Sequence, residues 1–194
     1  MRPGDHFLEV CAGWWTFSST AALWGYTGDG IDIWDVSLGF GRRQMAALPA
    51  GAAHNIAIHK GNALDIPFDD NSFDFVFCNP PFFQLERYSD SDDDLASVAS
   101  IDTWLEQSGQ MMAEIGRCAR PGALIVTVMA DFREGGNLVP LSARWILEGM
   151  RRGLILHDHV VARLLSQQVR MWRKSYEQKR TAKTHENIIV FRKP

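Results

Sequence analysis

Asn79-Pro80-Pro81-Phe82 brings together residue types that can act on one flat ligand. Asn79 offers a hydrogen-bonding amide, and Phe82 offers an aromatic face. Neither proline has an N–H to give to a sheet, so the pair ends the preceding apolar run abruptly and holds the backbone nearly rigid. A stiff corner with one amide, fixed carbonyls and one ring suits gripping a planar ring that bears an amino group. The plainer reading of the same four residues is a strand-ending turn, and the rest of the chain has to decide between the two. Asp32, in Gly30-Ile31-Asp32-Ile33, stands where one carboxylate accepts both hydroxyls of a ribose. Its plainer reading is a solvent-facing loop acid. Asn62 and the backbone of Ala63, after Gly61, are candidates for reading the edge of an adenine.

These residues sit at the ends of apolar runs. His6 to Cys11 reads as a first strand ending at Ala12-Gly13, Gly28 to Ile33 as a second, His54 to His59 as a third and Phe73 to Cys78 as a fourth. Helices are expected from Ser18 to Trp24, with Thr16, Ser18 or Ser19 as cap, and from Leu38 to Leu48, closed by Pro49. After an acidic, serine-rich loop over 83–100, Trp104 to Cys118 keeps helical spacing and stops at Arg120-Pro121-Gly122. Ala123 to Met129 predicts a fifth strand, Leu154 to Ala162 a sixth and Ile188 to Phe191 a seventh. A loop from Asp131 to Asn137 and a helix from Ser142 to Met150 precede the sixth. This alternation predicts an α/β, Rossmann-like fold with a mainly parallel seven-stranded sheet and helices on both faces. Ligands of such sheets bind outside the carboxyl ends of the strands, where the strand order switches. Asp32, Gly61 to Ala63 and Asn79 to Phe82 all fall at such ends.

The 194 residues fit a single domain, given a typical size of ~150. With 46% hydrophobic and 22% charged residues, the chain can bury a proper core. A formal net charge of −3 means that any nucleic-acid surface must be local. Cys11, Cys78 and Cys118 are odd in number, widely spaced and set in apolar contexts, which argues against a disulfide framework and fits a reducing compartment. No carboxylate–histidine cluster has metal spacing, so His157 and His159 read as ordinary residues and no metal is expected. No apolar leader and no long apolar stretch is evident, which predicts a cytoplasmic protein without membrane contact.

Glu9 to Thr16, Gly30-Ile31-Asp32, Gly61-Asn62-Ala63 and Asn79 to Phe82 together resemble the S-adenosylmethionine-dependent DNA amino-methyltransferases. Pro67 to Asp74, Arg120 to Ala123 and His185 to Lys193 extend the resemblance over almost the whole chain, in the same order. The resemblance implies a class I methyltransferase domain over residues 1–194, with no separate target-recognition domain. It implies methyl transfer from S-adenosylmethionine to an exocyclic base amino group of double-stranded DNA, adenine N6 first and cytosine N4 as the alternative. The same corner also occurs in RNA-guanine and protein-glutamine methyltransferases, which leaves those substrates open. Around the cofactor the resemblance places Glu9, Cys11, Ala12, Gly13, Trp15, Thr16, Asp32, Ile33, Asn62 and Ala63. In the corner, the Asn79 side chain and the Pro80 carbonyl would accept the amino hydrogens. Pro81 would stiffen the turn, and Phe82 would stack on a base turned out of the duplex. DNA phosphates would meet the basic segment, in which Arg170, Arg173, Lys174, Lys179 and Arg180 surround Trp172. A solvated surface is the plainer reading of that segment. The scarcity of recognition elements implies a homodimer or a partner recognition subunit, and a nucleoid location in a bacterium or phage.

One position departs from the family pattern. Trp15, after Trp14, stands where the family has its second loop glycine. Three readings follow. The loop is rebuilt, with Trp15 turned into the core or walling the pocket, which we favour. Alternatively the site takes an altered cofactor, or the chain is a catalytically silent nucleic-acid-binding subunit. The acidic run Ser89 to Asp94 has no assigned role.

Overall fold

The computed structural model describes residues 1–83, 94–134, 136–163 and 185–194. The chain opens with β1 (His6–Val10), α1 (Thr16–Leu23), β2 (Thr27–Asp32), α2 (Asp35–Ala46), the short α3 (Ala50–Ala53) and β3 (Ile56–Lys60). A long crossing leads to β4 (Phe73–Cys78). Then follow a 3-10 turn (Leu95–Ser97), α4 (Ile101–Cys118), β5 (Ala119–Met129), β6 (Phe132–Glu134), β7 (Asn137–Val139), α5 (Leu141–Arg151), β8 (Ile155–Arg163) and β9 (His185–Arg192).

Seven strands form one sheet in the order β3-β2-β1-β4-β5-β9-β8. β1 to β5 run parallel, while β9 is antiparallel to both neighbours. β1 lies between β2 and β4, so the strand order reverses there and opens a crevice at the carboxyl ends. This is the expected Rossmann-like class I methyltransferase architecture.

Central parallel strands are buried on both faces, and β1 accordingly sends its apolar residues to both sides of the sheet. Leu8 and Val10 enter the larger core with Trp104, Trp145 and Ile115. Phe7 points the other way, into a smaller core with Trp15, Leu38 and Met45. α4 buries Trp104, Ser108, Met111, Met112, Ile115 and Cys118, a stripe at helical spacing, and Ser100 caps it by accepting from the Thr103 N–H at 3.1 Å. Trp145, from α5, donates its indole N–H to Thr127 Oγ1 at 2.9 Å, so a buried polar group crosses the core without being orphaned.

Three local expectations change. Residues 131–137 are not simply a loop, because β6 and β7 pair antiparallel there. α1 is not capped by Thr16, Ser18 or Ser19: its N-cap is Trp15, in the left-handed region with φ 59° and no side-chain cap bond. The Ser18 N–H and hydroxyl are used elsewhere, on Glu9. β5 begins before the expected residue, with a register shift against β4 where Gly122 takes φ +82°.

The crossing between β3 and β4 is stitched to α4. Arg117 donates to the Phe68 carbonyl at 2.7 Å and the Ile66 carbonyl at 2.8 Å, and it pairs with Glu114 and Asp70. Glu114 in turn accepts from the Ile66 N–H at 3.0 Å. Gln110 donates to the Leu64 carbonyl at 2.9 Å, which fixes the crossing where it passes the carboxyl end of the sheet.

Candidate active site

A cavity of about 490 Å³ opens at the carboxyl ends of β1, β2 and β4 and under the start of the crossing. That size lies within the usual range for small-molecule sites, roughly 300–1,000 Å³. Its floor is the loop after β1, through Cys11, Ala12 and Gly13, with Glu9 below. One side is the end of β2 with Asp32, Ile33 and Trp34. The next is Gly61 to Leu64, and the far side holds Phe77, Asn79 and Pro81.

Asp32 is the hinge pin of the floor. Its carboxylate accepts from the Gly13 N–H at 2.8 Å and from the Trp34 N–H at 2.9 Å, one on each oxygen. A carboxylate has about four acceptor sites, so two remain for ligand hydroxyls. Gly13 itself takes φ +50°, a conformation that an L side chain resists. Asn62 closes an Asx turn by accepting from the Leu64 N–H at 2.9 Å, which places Asn62, Ala63 and Leu64 together on the rim.

Glu9 is nearly fully buried at 4% exposure. Burial pushes its carboxyl up to about 7, against the Ser18 hydroxyl and N–H, both of which donate to Oε2 and favour the ionised form. The hydroxyl bond is short; the N–H bond is 3.0 Å. Cys11 also stays protonated: its hydrogen bond with Cys78 and then loss of solvent raise the thiol well above its usual range. Neither cysteine is disulfide-bonded.

The corner after β4 divides between cavity and core. Asn79 is exposed and lines the cavity together with Pro81, whose carbonyl accepts from the Trp104 indole at 3.1 Å. Pro80 and Phe82 are not among the lining residues, and Phe82 packs against the larger core. The next residue, Phe83, is buried and rests against Phe132 at 5.8 Å. The ring expected to stack on a base is therefore part of the packing beneath the corner.

Trp15, expected among the cofactor residues, does not line the cavity. It is fully buried between β2 and α2. The indole is thus turned inward, while its neighbour Trp14 lines the cavity, 63% exposed and resting on Phe40. The remaining cofactor candidates, Glu9, Cys11, Ala12, Gly13, Thr16, Asp32, Ile33, Asn62 and Ala63, do converge on the one cavity. Several walls have no counterpart in the sequence reading. Phe17 and Thr20 were accessible to it, since they follow Thr16 around the first turns of α1. Trp34 and Leu64 each directly follow a named candidate, Ile33 and Ala63. Met111 and Asp94 come from distant segments and carry no local signal. Asp94 is buried, and it caps the 3-10 turn by accepting from the Ala96 N–H at 3.0 Å. Arg170, Trp172, Arg173, Lys174, Lys179 and Arg180 lie outside the described residues, as does the acidic run up to 93. Among the described residues, no cluster of His, Cys, Asp and Glu is arranged to hold a metal ion, and no helix is long and apolar enough to cross a membrane.

The sheet order and the cavity define a class I methyltransferase fold. Residues 7–109 match the methyltransferase-domain family, and the chain belongs to that family. A demethylmenaquinone methyltransferase of Staphylococcus saprophyticus is 36% identical over 116 residues, covering 58% of this chain and 45% of that enzyme. One from Bacillus mycoides is 25% identical over 146 residues, covering 70% of this chain and 51% of the relative. The chain thus spans about half the length of the curated relatives it matches. A solved SAM-dependent methyltransferase from Methanosarcina mazei superposes with a TM-score of 0.70 at 16% identity, over 100% of this chain and 94% of that one, which shows the fold.

These relatives correct the substrate expectation. Membership of the DNA amino-methyltransferases, base methylation and double-stranded DNA as partner are all overturned, because the curated relatives carry quinone-type names. The RNA, protein and silent-subunit alternatives fit no better. The physical reason for the misreading lies in the corner: its prolines end a strand, and its phenylalanine serves the core.

Proposed function

We propose that this chain is an S-adenosylmethionine-dependent methyltransferase whose acceptor is a small organic molecule of the quinone type, with residues 1–194 forming one methyltransferase domain. The observation that carries this reading is the 36% identity to a demethylmenaquinone methyltransferase over 116 residues. The cavity supports it, since Phe17, Phe77, Leu64, Leu95 and Met111 make its walls largely apolar.

The cofactor is S-adenosylmethionine, and the residues present fit it. Asp32 keeps acceptor capacity for ribose hydroxyls beside the half-buried Gly13, with which it lines the cavity. Asn62 and Ala63 stand where an adenine edge would be read, flanked by Ile33 and Trp34. Glu9, Cys11 and Thr16, which line the same cavity, would hold the methionine end. When bound, the cofactor supplies an electrophilic methyl group on a sulfonium. The chain's own contribution is positional. The Asn79 amide would orient a polar substituent of the acceptor, the apolar walls would exclude water, and the Glu9 carboxyl, held at Oε2 by Ser18, would accept positive charge from the bound cofactor.

The test incubates the protein with S-adenosylmethionine and a reduced, demethylated naphthoquinone, with duplex DNA in parallel, followed by mass spectrometry of both. A singly methylated quinol with unmodified nucleosides is expected. Methylated nucleosides with an unchanged quinol would refute the reading.

A further inference from the structure

The cavity floor carries a device that family membership does not supply. The loop from Cys11 to Trp15 contains three residues in the left-handed region: Cys11 at φ 57°, Gly13 at φ 50° and Trp15 at φ 59°. For cysteine and tryptophan that conformation is unfavourable, so something must hold it. The Trp15 indole is wedged between β2 and α2, where Gly30 and Gly41 leave room for it. A Cβ built on Gly30 would lie 2.2 Å from the ring, and one on Gly41 would lie 2.7 Å from it. From that slot the indole N–H donates to the Ser37 carbonyl at 2.8 Å and to Ser37 Oγ at 3.0 Å. The Ser37 hydroxyl is fully buried, and its proton goes to the Gly13 carbonyl at 2.7 Å. On its other side, the Gly13 N–H is held by Asp32 at 2.8 Å. The Gly13 unit that faces the cavity is therefore clamped at both N–H and carbonyl.

We propose that Trp15 is a positioning residue: through Ser37 Oγ its indole N–H fixes the Gly13 carbonyl and so presets the cavity floor for the methyl donor. A bulky side chain sits in the loop here without closing the site, because its bulk lies in the core and Trp15 is not among the residues lining the cavity. The direction of the relay is set by chemistry. The indole can only donate, the Gly13 carbonyl can only accept, and the hydroxyl between them does both. The inference rests on the assignment of this cavity to S-adenosylmethionine, and its test is built to fail separately.

Trp15→Phe keeps an aromatic ring in the slot and removes the N–H. Ser37→Ala removes the hydroxyl and leaves the indole its bond to the Ser37 carbonyl. Amide hydrogen exchange without ligand should show faster exchange at Gly13 to Thr16 in both variants, with the rest of the sheet unchanged. Calorimetry should show S-adenosylmethionine affinity lowered by about three- to tenfold in each, the usual net worth of one buried hydrogen bond. The double variant should bind no more weakly than the weaker single one, because both changes break one chain of bonds. Methyl transfer at saturating cofactor should keep its rate, so the loss appears in KM alone. Wild-type loop protection and affinity in both variants would overturn the proposal, as would losses that simply add. If the wild-type chain does not bind S-adenosylmethionine while the variants still lose loop protection, the relay stands and the cofactor assignment falls.

Discussion

Glu9→Gln isolates the cost of keeping a carboxyl beneath the cavity. The group ionises near 4.5 when unburied and near 7 in the fold, with desolvation as the largest cause. At 1.36 kcal/mol per pKa unit, the difference is worth about 3 kcal/mol. Between those two pH values the folded chain holds a proton that the unfolded chain has released. Stability therefore falls as pH rises from about 4.5 to about 7, and it levels off above. Glutamine keeps an oxygen to accept from the Ser18 N–H and hydroxyl but has no charge to bury. Urea titrations or melting curves at pH 4.5 and pH 8 should show the variant close to wild type at the lower pH. At the higher pH it should be more stable by about 3 kcal/mol, or roughly 6–12 °C in Tm for a chain of this length. Saturating S-adenosylmethionine should narrow the gap at pH 8, because positive charge beside Glu9 favours its ionised form. A stability difference that does not change with pH would refute the reasoning.

Three further outcomes follow from the packing and the rim. Gly30→Ala forces a methyl against the Trp15 ring and should cost about 1–3 kcal/mol by denaturant titration, whereas Gly51→Ala, with open space around it, should not destabilise. Arg117→Ala strips three partners from the crossing between β3 and β4, Ile66, Phe68 and Asp70, and a fourth, Glu114, on α4 itself. Because Arg117 is only partly exposed, we expect a loss of about 1–3 kcal/mol with faster exchange at Ile66 to Phe68; a loss below about 0.5 kcal/mol would place the crossing's stability elsewhere. Asn79→Ala should depress methyl transfer to a quinol while leaving S-adenosylmethionine affinity unchanged in calorimetry; full residual activity would remove Asn79 from the acceptor side.

The fold was legible wherever the pattern was long. β4 runs over the expected Phe73 to Cys78, because six mostly apolar residues closed by the Pro80-Pro81 pair leave few alternatives. β6 and β7 were not legible, since strands of three residues carry too little pattern to separate from a loop. The destination of Trp15 depended on Gly30 and Gly41, which only the folded sheet brings against it. That Asp32 lines the cavity was recognisable from its place at the end of a strand. Its two backbone partners were not, because they belong to loops whose conformation is set by the bonds themselves.

The acceptor was the least legible part, and the reason is spatial. Sequence motifs gather on the cofactor side, at Glu9 to Thr16, Asp32 and Asn62, where short loops join consecutive strand ends and local spacing reports geometry. That side is shared by enzymes acting on unrelated acceptors, so its motifs carry the cofactor and not the substrate. On the proposed reading, the acceptor would meet α1, the end of β4, Asp94, Leu95 and Met111, which no short window contains. Asn79 to Phe82 was the one compact motif there, and it pointed to a base because an amide, two prolines and a ring were read as one tool. Folding splits that tool: Asn79 and Pro81 face the cavity, while Phe82 joins the core. A stiff strand end followed by an aromatic can arise from packing alone. Its chemical meaning depends on where the ring points, which the four residues do not encode.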